Sequence, residues 1–189
     1  MKFTTRLNKV LLASIITILS ISACQQGSPA KIDQDLLTGF RLSLLQRIEE
    51  GDTIPHHWKV LQAVLPEKLD GFAPQNVQGG TFSPGAARFS SVSRFYKDVQ
   101  GKFVFIKLSD YAADSSAFNF WIHKHAKVGQ NWKTDKEVLW MDHSKKGQQH
   151  KMEGIRGSRY QLKMSTNRPE GSGIFQDVLE EMNWKVIDQ

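Results

Sequence analysis

The sequence predicts an α+β fold, an antiparallel sheet of about five strands with helices packed on it, preceded by an N-terminal helical segment. Three observations carry this reading. Apolar residues recur at helical spacing near both ends of the chain and once between, period-two alternation fills the middle, and the order reads α-α-β-β-α-β-β-β-α. Strands grouped as hairpins, with helices outside the groups, favour an antiparallel sheet over alternating parallel β-α units.

The first helix begins near Asp33, a suitable N-cap, with Asp35 adding favourable charge in the first turn. Leu36, Phe40, Leu44 and Ile48 form its stripe, Leu37 and Leu45 widen it, and Gly51 ends it. Asp35, Arg41, Gln46, Arg47 and Glu49 oppose the stripe, a mixed set without the basic bias of membrane-surface helices, so the stripe is expected to be core. A short helix after Pro55 puts Trp58, Leu61, Val64 and Leu65 on one side, with His56 and His57 at its start and Pro66 at its end. Residues 73–87 are polar and broken by Gly79-Gly80 and Ser83-Pro84-Gly85, and read as a surface loop. They are not a phosphate loop, because the Gly-Lys-Ser/Thr ending is absent.

Arg88–Lys97 and Lys102–Ser109 read as a hairpin around Asp98-Val99-Gln100-Gly101. In the second strand Phe103, Phe105 and Lys107 share one face and Val104, Ile106 and Leu108 the other, the pattern of a central strand. An amphipathic helix over Ala113–Val128 carries Phe118, Trp121, Ile122 and His125. Glu137–Asp142 and Gln149–Met152 form a second pair around Lys145-Lys146-Gly147. Ser158–Met164 alternates Tyr160, Leu162 and Met164 against Arg159, Gln161 and Lys163, and is expected to be half-solvated. A last helix runs from Ser172 to Met182.

The segment before the first helix is of another kind. Lys2, Arg6 and Lys9 stand in a stretch without acids, and Val10–Ile21 is apolar but shorter than the roughly 20 residues that span a bilayer. Small residues then precede the chain's one cysteine. Ile21-Ser22-Ala23-Cys24 resembles the lipobox of bacterial lipoproteins, an aliphatic residue, two small residues and cysteine, and matches it at every position. The resemblance implies diacylglyceryl attachment to Cys24, cleavage before it and N-acylation, a tether held at ~0.8 kcal/mol per buried methylene. Residues 1–23 are then the signal peptide, 24–32 the acylated N-terminus and linker, and 33–189 a single α+β domain. Gln25 follows the cysteine where aspartate would favour inner-membrane retention in enteric lipoproteins, so the resemblance points to the outer membrane and a periplasm-facing domain.

The whole chain has 25 Lys and Arg against 19 Asp and Glu, a net of +6. Without the three basic residues of the signal the balance is 22 against 19, or +3, so half of the apparent basicity is targeting and no nucleic-acid partner is expected. With Cys24 modified there is no disulfide framework, thiolate nucleophile or cysteine metal site. The mature length suits one core, and a monomer is expected.

Leu65-Pro66-Glu67-Lys68-Leu69-Asp70-Gly71-Phe72 resembles a pattern in small exported bacterial proteins of unassigned function. It implies an α+β envelope module and brings no active residue. His123 and His125 stand about 200° apart on a helix and cannot share an ion, and His143 and His150 flank a hairpin turn without an evident third ligand. Gly-x-Ser-x-Gly is absent. No catalytic residue, cofactor or metal is assigned. The nominated surface is basic: Lys151, Arg156, Arg159 and Lys163, placed by alternation and the hairpin on one side of the sheet, as a candidate anion-binding face. The expected function is a membrane-anchored binding module whose partner is an envelope protein, a glycan or anionic lipid. The alternative is a small hydrolase or metal-dependent enzyme with a site assembled from separate strands.

Overall fold

Alternating residues in the middle of the chain build one twisted antiparallel sheet, and the helices cover one of its faces. A computed structural model describes residues 34–83, 88–112, 114, 130–133, 137–143, 149–169 and 171–188. Its elements are α1 (Gln34–Glu49), α2 (Trp58–Gln62), β1 (Ala73–Pro74), β2 (Gln78–Phe82), β3 (Phe89–Lys97), β4 (Phe103–Asp110), β5 (Gln130–Lys133), β6 (Glu137–His143), β7 (His150–Arg156), β8 (Tyr160–Thr166) and α3 (Gly171–Glu181), followed by a 3-10 turn at Trp184–Val186. Cys24 with its signal and linker, the helix expected over Ala113–Val128 apart from Asp114, and the pair His123 and His125 lie outside the described residues.

The strand order is β3-β4-β8-β7-β6-β5, with β1 and β2 both paired to the outer edge of β3 and every pairing antiparallel. The expected α+β class is therefore observed, with more strand segments than about five. Part of the difference comes from residues 73–87, which are not wholly a loop. β2 pairs with β3 from Gln78↔Ser93 to Phe82↔Phe89. Its polar composition suits an exposed edge, where one row of backbone groups meets water. Its glycine has a packing role: a Cβ at Gly79 would fall 2.5 Å from Cε3 of Trp58, so only glycine lets the strand lie against α2.

The β3–β4 hairpin closes as its turn residues dictate. The Asp98 carboxylate accepts from the backbone N–H groups of Gln100 and Lys102, and Gly101 takes a positive φ of +76°. β4 lies between β3 and β8, as its two apolar faces require. Val104, Ile106 and Leu108 face the core with Val92 and Tyr96 of β3 and Leu162 and Met164 of β8. Leu61, Val64 and Leu65 around α2, and Phe175, Val178 and Leu179 of α3, close over this face. The Leu65–Phe72 segment belongs to the same core: Leu65, Leu69 and Phe72 are buried, and the carbonyl of Pro66 accepts from Tyr96 Oη (2.6 Å) and Arg94 Nη1 (2.7 Å).

Two sequence expectations are corrected. Of the stripe residues whose burial is described, Leu44 is buried and Phe40 half-buried, whereas Leu45 and Ile48 are exposed, so this part of the expected stripe is not a core face. Polar ties hold the helix instead, as described below. Strand β8 begins at Tyr160, because Gly157 and Ser158 both adopt positive φ and turn the chain there. Arg159 therefore sits in the turn, and Gln161 is buried, so the strand is not half-solvated along its length.

Candidate functional site

Continuing the alternation of β4 past Leu108 puts Asp110 on the core face, where its carboxylate is 0% exposed. A buried carboxylate requires a cation and donors on both oxygens. Arg159 supplies a two-pronged contact, Nε to Oδ1 at 3.0 Å and Nη2 to Oδ2 at 2.9 Å, while the N–H groups of Ala112 (2.8 Å) and His56 (2.7 Å) add one donor to each oxygen. The same guanidinium donates to the Ile54 carbonyl at 3.0 Å and pairs with Asp52. One arginine thus joins the end of β4, the β7–β8 turn and the α1–α2 connection.

Arg47 extends the cluster to α1. Its guanidinium donates to the carbonyls of Ala112 (2.9 Å) and Ser158 (2.6 Å), and Ser158 Oγ donates to Ser43 Oγ at 2.9 Å. Ala112 and Ser158 are the non-glycine residues with positive φ among the described residues, both at +50°. Left-handed backbone costs of order 1 kcal/mol or more per such residue and persists where the surroundings over-determine it. Here it aims two carbonyls at one arginine.

His56 closes the cluster toward solvent, with its side chain 34% exposed. Its Nδ1 lies 3.2 Å from Asp110 Oδ2, 3.1 Å from Tyr160 Oη and 3.1 Å from Arg159 Nη2. Both hydrogens of Nη2 are engaged by Ile54 and Asp110, so Nδ1 either donates to Asp110 or accepts from the Tyr160 hydroxyl. Burial pushes the Tyr160 hydroxyl well above its ordinary range, and Arg159 offsets only part of that, so the phenol keeps its proton. Burial alone would lower Arg159, but its bonds to Asp110 and Asp52 outweigh that and raise it, so the guanidinium is permanently charged. The imidazole has an oriented inner nitrogen and an outer edge toward water.

The other prominent surface is the sheet face opposite the helices. Register sets Phe95 opposite Phe105, Lys97 opposite Phe103 and Ser93 opposite Lys107. The ring of Phe95 packs at 4.6 Å from Phe105 and 6.0 Å from Phe103, and Phe95 is still 42% exposed. Lys107 faces Lys163 across β8, and Lys163 reaches Glu153 at 3.8 Å.

The four nominated basic residues are therefore divided. Lys151 and Lys163 share the face opposite α2 and α3 with the phenylalanines. Arg159 is consumed by Asp110 and Asp52, and Arg156 pairs with Asp188 at 2.7 Å and lies over the Trp184 ring at 4.4 Å. His143 and His150 are paired in register across β6 and β7, as their flanking of a turn suggests. Among the described residues no group of three or more His, Cys, Asp and Glu is placed to hold a metal ion. An open groove of about 570 Å³ beside the Leu65–Phe72 segment is bordered by Glu67, Asp70 and Glu181, away from His56. No helix of the described residues is long and apolar enough to cross a membrane. Compared with protein-family models, with curated proteins and with solved structures, the chain matches none.

Sequence reading missed Asp52, His56 and Asp110 because their partners stand 49 to 107 residues away. The one local signal was parity, which carries the buried face of β4 onto a carboxylate.

Proposed function

We propose that the chain is a bacterial cell-envelope lipoprotein, anchored by acyl chains on Cys24 and more suited to the outer than the inner membrane. Its α+β domain is a non-catalytic binding module that works through the end of the sheet face that carries Phe95, toward the β3–β4 turn. The observation that supports binding is the exposed Phe95 packed against the half-buried Phe103 and Phe105 and flanked by Lys97 and Lys107, since an apolar patch rimmed by one sign of charge is the composition of an interaction surface.

Cell fractionation with mass spectrometry tests the proposal. The full chain should be membrane-bound with an acylated N-terminus at Cys24, and Cys24→Ala should release it or leave the precursor uncleaved. An unmodified N-terminus elsewhere would refute the anchor. A second reading, a hydrolase, is favoured by one observation, the His56 imidazole backed by Asp110 at 3.2 Å. It requires the tautomer in which Nδ1 donates to Asp110, and a hydrolytic activity of the intact protein abolished by His56→Ala with folding unchanged would establish it.

A further inference from the structure

Around the turn of the β3–β4 hairpin, apolar and cationic residues alternate at the edge of the sheet. Phe95 and Lys97 are exposed on β3, Val99 is fully exposed at the turn, and Lys102 and Phe103 follow, half-buried, on the return. One strand inward, Lys107 stands directly opposite Lys163. Like charges facing each other across strands are unfavourable unless an anion intervenes. Glu153 serves Lys163, and register and sequence set Lys97 opposite Phe103, Lys107 two residues beyond Phe105, and Lys102 next to Phe103.

Resting on the tethered-lipoprotein reading, we infer that the β3–β4 hairpin docks on the anionic surface of a phospholipid bilayer. Val99 and Phe95 enter the boundary between headgroups and acyl chains, and Lys97, Lys102 and Lys107 meet the phosphates. An apolar tip with lysines behind it is the composition of an interfacial element. Stacked nucleobases fit less well: the Phe95 ring packs against Phe105 at 46° and against Phe103 at 59°, which spends ring surface that stacking would use, and the exposed Val99 would have no role. Packing of the hairpin base through Asp98, whose carboxylate also pairs with Arg168 at 3.0 Å, keeps the tip in one geometry.

The test places the photo-crosslinker p-benzoylphenylalanine at position 99 of the full chain, reconstituted into vesicles of equimolar phosphatidylglycerol and phosphatidylcholine or of phosphatidylcholine alone. Illumination should add a phospholipid mass to the peptide containing residue 99 in the anionic vesicles, and several-fold less in the neutral ones. Lys97→Gln and Lys107→Gln should each reduce the adduct about fivefold, because each basic residue near an anionic surface contributes about 1 kcal/mol. The same probe at Asp177, exposed on α3 behind the opposite face, should give no lipid adduct. Equal lipid adducts at both positions, equal yields in both vesicles, or crosslinks to protein alone would overturn the docking. The acylation state of Cys24, read from the same digest, separates a failure of the tether from a failure of the hairpin.

Discussion

Asp110 and Arg159 show how much one buried ion pair is asked to hold. Removing a single partner of such a pair leaves an uncompensated charge, which costs roughly 3–5 kcal/mol. Arg159→Met is therefore expected to lower the denaturant midpoint by that free energy, and to free the α1–α2 connection as judged by hydrogen exchange at Ile54–His56. Asp52, at the rim, gives the cluster a pH dependence. Burial pushes its carboxyl up, but the Arg159 hydrogen bond and the nearby arginine charges pull it further down, so it is held below the usual 3.8. A group depressed in the folded state contributes stability above its unfolded value and loses it as pH falls through the folded one. Melting temperature should thus fall with acidification below the usual aspartate range, and Asp52→Asn should flatten that part of the profile. With Asp52 39% exposed the effect is screened, and added salt should reduce it.

Elements differed in how openly the sequence announced them. The β3–β4 hairpin is legible almost to the residue, because Asp98 and Gly101 supply the turn chemistry and alternation fills both arms. The ends of α3 shift by one residue from Ser172–Met182 to Gly171–Glu181, within ordinary fraying. Strand β2 was illegible because an exposed edge strand needs no apolar pattern, and its identity is enforced by Trp58 packing on Gly79. Replacing Gly79 by valine should cost about 1–3 kcal/mol by overpacking, measured by denaturation, and Trp58→Leu should recover part of it. A full-cost Gly79→Val in both backgrounds would mean that the contact is not what selects glycine. The apolar stripe of α1 misled for the opposite reason: spacing marks an amphipathic helix, but only tertiary contacts decide whether Leu45 and Ile48 find a core.

At the scale of the whole molecule, the chain separates what holds it together from what it presents. One face of the sheet carries the helices and the core, and the Arg159 cluster fastens the N-terminal helix to that body. The other face buries Ser91, Ser109, Ile155 and Gln161 at one end and, toward the β3–β4 turn, leaves Phe95 and Lys97 exposed. Basic residues alone did not reveal this division, since Arg156 and Arg159 are spent within the fold while Lys151 and Lys163 share a face with Lys107, the face-mate of Phe103 and Phe105. The most direct measurement compares two variants of the intact protein, Arg159→Met and Phe95→Ser/Phe105→Ser, for both thermal stability and retention on salt-washed envelope membranes, each carrying Cys24→Ala and scored on the molecules cleaved of their signal. The account predicts that the arginine variant melts lower yet binds as its folded fraction allows, and that the phenylalanine variant melts near the parent and loses retention. Retention undiminished by Phe95→Ser/Phe105→Ser, or lost in folded Arg159→Met, would contradict it.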